Sequence, residues 1–145
     1  MNLDKLQKQD YQTGQVLLID KPLGWTSFQV VNKVRWLIRQ EFDIKKIKVG
    51  HAGTLDPLAS GLLILCTGKF TKQIQSYQAQ HKEYTGTITL GGTTPSYDLE
   101  TDIDQKFATT GITQEAINKA REQFVGDIMQ PVSYTHLRAH ETKCY

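Results

Sequence analysis

Cysteine is scarce in this chain of 145 residues: there are two, too few for a disulfide framework, and nothing in the sequence needs an oxidising compartment. Cys66 lies inside an apolar run and reads as a small buried core residue, while Cys144 is next to the end. Long apolar stretches are missing as well. No run reaches bilayer-spanning length, and Met1 to Asp10 is charged and polar where a signal peptide would be apolar. The expected compartment is therefore the cytoplasm, with no membrane partner. Charge of one sign is in short supply: 17 Lys and Arg against 15 Asp and Glu leave a formal +2, which permits an RNA partner without pointing to one. The glycine patterns of Rossmann and Walker loops are absent, and so is any convincing cluster of metal ligands. His136, His140 and Cys144 fall at helical spacing, but a lone triple so near the end is not read as a metal site. What is present is 39% apolar residues, enough for the core of one soluble domain, without internal repeats or low-complexity segments.

After a polar lead-in over residues 1–13, Gly14 to Asp20 is a short apolar run rich in branched residues that stops at Lys21-Pro22-Leu23-Gly24, a buried strand running into a loop. Thr26 is placed to cap a helix, with Gln29 at the reciprocal position of a capping box and Trp25 and Val30 set as a hydrophobic staple. Val30, Val31, Val34, Leu37 and Ile38 make one apolar helical stripe, while Lys33, Arg35 and Arg39 fall on the other face and read chiefly as solvated charge. A second short strand is predicted over Ile44 to Val49 and a central one over Leu62 to Thr67. Between them, residues 50–61 are too broken by glycine and proline for a regular element. Phe70 to Gln80 favours a helix. Glu83 to Leu90 alternates, with Thr85, Thr87 and Thr89 on one face and Tyr84, Ile88 and Leu90 on the other, which predicts a half-buried strand. Residues 91–104 read as a loop carrying several carboxylates. A last helix is predicted from about Thr113, with Ile117, Ala120 and Phe124 at helical spacing up to a stop at Gly126. This order fits a single α/β or α+β domain, and periodicity does not choose between them.

Chemistry is concentrated in Gly50-His51-Ala52-Gly53-Thr54-Leu55-Asp56-Pro57-Leu58-Ala59-Ser60-Gly61. Asp-Pro is a common turn dipeptide, so a purely structural Asp56 is one reading. The other starts from the surroundings: proline keeps Asp56 out of helical angles, and Gly50, Gly53 and Gly61 permit close approach of a backbone or ligand. A carboxylate held on a loop between two core strands can serve as nucleophile or base. Local physics leaves both readings open.

The stretch Gly50 to Leu63 (GHAGTLDPLASGLL) resembles the catalytic motif of the tRNA pseudouridine synthase B family. Leu17 to Ser27 (LLIDKPLGWTS) is similar to that family's first motif, and Leu90 to Asp98 (LGGTTPSYD) to the stretch after its tyrosine strand. The resemblance runs over residues 14–130, in order and with ordinary spacing. It implies an α+β fold, part of a pseudouridine synthase catalytic domain with a mixed β-sheet flanked by helices. It also implies isomerisation of one uridine in the T-loop of tRNA, no metal or organic cofactor, the tRNA T-arm as partner, and a monomer when complete.

Residue by residue, Asp56 matches the family's catalytic aspartate and nucleophile, a role suited to a bond break that leaves the sugar electron-deficient. Tyr84 aligns with the active-site tyrosine, whose ring would stack on the target uracil, although a half-buried strand tyrosine is the plain alternative. His51 matches a histidine near the flipped nucleotide, against the simpler reading of an imidazole capping its own loop. Lys21 and Lys69 are candidate phosphate contacts that could equally be solvated lysines, and Asp98 matches an acidic position without an assigned role.

Residues 131–145 depart from the family pattern, which continues through a proline-rich stretch to further strands, a basic partner for the aspartate and an RNA-binding part. That tail is expected to be aberrant and the chain by itself to have little or no activity. A truncated, non-catalytic RNA-binding module is the second reading.

Overall fold

Leu63, Leu65, Cys66 and Thr67 are each at most 2% exposed, and burial on that scale marks the middle of a sheet. In the computed structural model, which describes residues 7–129, strand β1 (Val16–Lys21) and strand β2 (Val49–His51) flank strand β3 (Gly61–Thr67) in the order β1-β3-β2. Both pairings are antiparallel: Val16 faces Cys66, Lys21 faces Gly61, and His51 faces Leu65. The 52–60 loop between β2 and β3 is shorter than the dozen or so residues of a parallel crossover, which accounts for that direction. The α+β class holds. Where a mixed sheet was expected, every pairing among the described residues is antiparallel.

Helix α2 (Ser27–Phe42) begins at the expected capping box: the Gln29 N–H donates to Thr26 Oγ1 at 3.1 Å and the Thr26 N–H to Gln29 Oε1 at 2.7 Å. Val30, Val31 and Ile38 bury against Ile44, Ile47, Val49, Leu63 and Leu65, but Leu37 is half exposed and drops out of the stripe. Arg35 and Arg39 are more than solvated charge. Their guanidinium groups donate to the carbonyls of Val49 at 3.1 Å and Ile44 at 3.3 Å, tying the 44–49 segment to the helix. Of the strand predicted from Ile44 only Val49 joins the sheet, while Ile44 and Ile47 still reach the core.

The lead-in contains helix α1 (Lys8–Thr13), held to β3 by Thr67, whose Oγ1 donates to the Tyr11 carbonyl at 2.8 Å and accepts the Gln15 N–H at 3.0 Å. Tyr11 also meets Phe42, with ring centroids 5.4 Å apart. After β3 comes a 3-10 turn (Gly68–Gln73) and then helix α3 (Ile74–Gln78), where one helix was predicted over Phe70 to Gln80. The predicted strand over Glu83–Leu90 does not form. Residues 81–90 have no regular structure and are exposed on both faces, Tyr84 by 70% and Ile88 by 88%. Alternation specifies a strand only where a neighbouring edge and an apolar cover exist, and no described strand pairs here.

The chain divides into two compact units, residues 1–85 and 86–145. In the second, β4 (Gly92–Thr93) and β5 (Gln105–Lys106) form a short antiparallel ribbon, and helix α4 (Gln114–Glu122) starts at Thr113, whose hydroxyl accepts the Ala116 N–H. The helix ends before the predicted stop at Gly126, and Ile117 and Phe124 are exposed rather than packed. His136, His140, Cys144 and the tail over 131–145 lie outside the described residues. Among the described residues, no helix is long and apolar enough to cross a membrane.

Candidate active site

Asp56 opens a tight turn, its carbonyl accepting the Ala59 N–H at 3.0 Å. Aspartate first and proline second is the residue order that such turns favour, so the structural reading of Asp-Pro is satisfied. It does not displace the chemical one, because the residue is exposed at the start of the turn.

The turn is fastened on both sides to the first motif. Before Asp56, Ser27 Oγ accepts the Leu55 N–H at 2.9 Å and donates to the Leu55 carbonyl at 3.2 Å. After it, the Pro57 carbonyl accepts the Gly24 N–H at 2.7 Å. Gly24 has φ +80°, a conformation that favours glycine. Sequence reasoning assigned no role to Ser27 or Gly24, and their place inside the Leu17–Ser27 motif was the only signal available. Ser27 is 3% exposed, so removing its hydroxyl orphans two backbone groups in a water-poor site. Ser27→Ala is expected to cost about 1–3 kcal/mol of stability, read as a lower denaturant midpoint. An unchanged midpoint would show that the reciprocal pair does not hold the loop.

Lys21, expected among the phosphate contacts, is corrected by the structure. It is fully buried, and its Nζ donates to the carbonyls of Pro22 at 3.0 Å and Trp25 at 2.6 Å. The ammonium group thus closes the 22–25 turn that presents the Gly24 N–H, and it is not offered to a ligand.

His51 is half-buried at the end of β2, with Nδ1 2.6 Å from the Gly53 carbonyl. A carbonyl only accepts, so Nδ1 carries the hydrogen and Nε2 of the neutral ring keeps its lone pair. The loop-capping role is real and leaves one nitrogen for a second partner.

Tyr84 lines an open cavity of about 660 Å³. One wall is the 52–64 stretch, including Leu55 and Leu58, and the other runs from Tyr77 through His81 to Thr85. Lys82 steadies that second wall by donating to the carbonyls of Gln78 and Gln80. Asp56 is bracketed by lining residues without lining the cavity itself, and His51 does not line it. Lys69 is exposed at the other end of β3 and takes no part in this cavity. In the second unit, the Asp98 carboxylate organises its own loop, accepting from Ser96 Oγ at 2.6 Å and from the Glu100 N–H at 2.9 Å. Burial raises the pKa of the Cys66 thiol, keeping it protonated and inert as a core residue should be.

Fold and site together define an α+β domain that displays an aspartate on a braced turn between two strands of an antiparallel sheet, beside a tyrosine-lined cavity. Residues 39–145 match the family described as TruB family pseudouridylate synthase (N terminal domain), and the chain belongs to that family. Among its relatives, the tRNA pseudouridine synthase B of Flavobacterium johnsoniae is 54% identical over 139 residues, 94% of this chain and 61% of the relative. That of Phocaeicola vulgatus is 54% identical over 121 residues, 83% of this chain and 52% of the relative. That of Chloroherpeton thalassium is 53% identical over 117 residues, 81% of this chain and 48% of the relative. The chain thus spans roughly half to three-fifths of the length of the curated relatives it matches.

Proposed function

We propose that this chain is the part of a tRNA pseudouridine synthase that carries the reacting carboxylate, and that the whole enzyme isomerises a uridine in the T-loop of tRNA. The observation that carries the proposal is the double fastening of the Asp56 turn to Ser27 and Gly24. A turn needed only to reverse the chain has no use for such bracing, whereas a reacting carboxylate gains from a fixed position.

In the reaction, the bond from ribose C1′ to uracil N1 breaks, C1′ joins C5, the C5 hydrogen leaves as a proton, and N1 takes one up. Substrate and product are isomers, so no oxidant or reductant is consumed and no cofactor is called for. Asp56 acts as the nucleophile. Tyr84 gives the unstacked uracil an aromatic face, and His51 offers Nε2 near the space the base vacates. Lys69 meets an RNA phosphate. The complete enzyme works as a cytoplasmic monomer.

A second reading applies to the chain alone. Tyr84 is 70% exposed and Asp56 does not line the cavity, which fits a site open enough to hold RNA without converting it. Incubating a T-arm hairpin with this chain, and separately with a version extended to the relatives' length, separates the two readings. Pseudouridine is expected only with the extended protein, and RNA binding with both. Pseudouridine from neither would sink the enzyme proposal; pseudouridine from both would sink the inactivity of the chain.

A further inference from the structure

At the end of β3 away from the Asp56 turn lies a second groove, of about 320 Å³, that the reaction does not use. Three segments build it, one of them α1 through Gln12. The 46–48 stretch brings Lys46 and Lys48, and the turn after β3 brings Lys69, Thr71 and Lys72. The Gly68 N–H donates to the Lys48 carbonyl at 2.9 Å and fixes one segment to the other. Gly68 has φ +53°, and a Cβ there would stand 2.2 Å from the Gln12 carbonyl oxygen, so only glycine lets α1 pack so close. Sequence reasoning singled out Lys69 alone and assigned nothing to the other three lysines.

All four of these lysines are exposed. Four like charges around one small groove repel one another, and with a Debye length of about 8 Å at physiological salt the repulsion is only partly screened. An anion relieves it. Lysines are flexible point charges without the planar fork that reads bases or clamps a single carboxylate, which suits successive backbone phosphates.

We propose that this groove is a second RNA site, which takes the sugar-phosphate backbone of the same RNA whose uridine lies at Asp56. This rests on the function proposed above. A strand rises about 3.3 Å per residue, so the two ends of β3 are roughly 20 Å apart, too far for the target nucleotide to reach both. The groove therefore meets the flanking part of the RNA and sets affinity and register, while the cavity beside the Asp56 turn selects the base.

The test titrates a fluorescent T-arm hairpin with the 145-residue chain at several salt concentrations. Lys46→Glu with Lys48→Glu is expected to weaken binding about tenfold or more at low salt and to flatten the plot of log affinity against log salt by about one to two units. Lys33→Glu with Lys45→Glu removes the same charge from exposed positions outside the groove and is expected to do far less. Lys46→Arg with Lys48→Arg, which keeps charge and fold, should bind as the unaltered chain does. Equal weakening by the two glutamate pairs would overturn the groove, reducing it to overall charge. Weakened binding of inorganic phosphate with unchanged RNA affinity would also overturn it, in favour of a small anion. Both readouts concern affinity, so either failure leaves the role of Asp56 standing, and loss of that role would leave the groove.

Discussion

Replacing Asp56 by asparagine in the full-length enzyme is expected to lower the rate of pseudouridine formation on the order of a thousandfold or more. The substitution keeps the shape of the side chain, and asparagine is as acceptable as aspartate at the first position of this turn. Ser27 and Gly24 hold the neighbouring residues through backbone groups of Leu55 and Pro57, which the change does not touch. What disappears is the negative charge, and a neutral amide is a poor nucleophile and a poor base. RNA affinity is expected to hold or to rise slightly, because a carboxylate near phosphates contributes nothing to attraction. Rate and affinity falling together would point to a collapsed loop, and a retained rate would remove Asp56 from the chemistry.

Lys21→Met carries the second large effect, on stability and loop position. The ammonium makes two charge-assisted bonds to main-chain carbonyls, worth about 1.5–3 kcal/mol each in favourable cases. Against them stands the penalty of burying the charge, several kcal/mol, which methionine removes while filling much the same space. Pro22 and Trp25 are both exposed, so their carbonyls can recover water and the loss is less than the sum of two bonds. A net loss of about 1–3 kcal/mol is expected, as a lower denaturant midpoint. The salt dependence of RNA binding should not change, since a fully buried lysine meets no phosphate. Lys69→Met should behave the other way, with unchanged stability and weaker RNA binding. If Lys21→Met instead kept its stability and flattened the salt dependence, the phosphate role first expected for Lys21 would be restored.

The contrast between the two lysines shows where sequence reading has purchase. Both were equivalent candidates by type, although only Lys21 lies within one of the family motifs. Their difference lies in the turn that wraps the Lys21 ammonium, and no local pattern announces it. Signals that complete themselves within a few residues were legible. The Thr26 and Gln29 capping box formed as expected, and the apolar run at Leu62–Thr67 became the buried central strand. Ser27 and Leu55 are 28 residues apart, and their pairing leaves no trace in composition or spacing. The failed strand expectations have separate causes. Of Ile44 to Val49 only Val49 joins the ladder, the Ile44 carbonyl being held by Arg39, and the alternating residues 83–90 had no described edge to join. The site was legible as a loop because glycine and proline exclude regular structure there, but its bracing required the fold.

Tritium at C5 of uridine offers the most direct measurement. Forming the new carbon–carbon bond expels the C5 hydrogen, so every conversion sends one tritium atom to water. A T-arm hairpin labelled at its loop uridines, incubated with the protein extended to the relatives' length, is expected to release the label of one uridine per hairpin and to release almost none with Asp56→Asn. Equal release by the two proteins, or no release from an RNA that the unaltered protein binds, would contradict the assignment of the Asp56 turn as the catalytic centre.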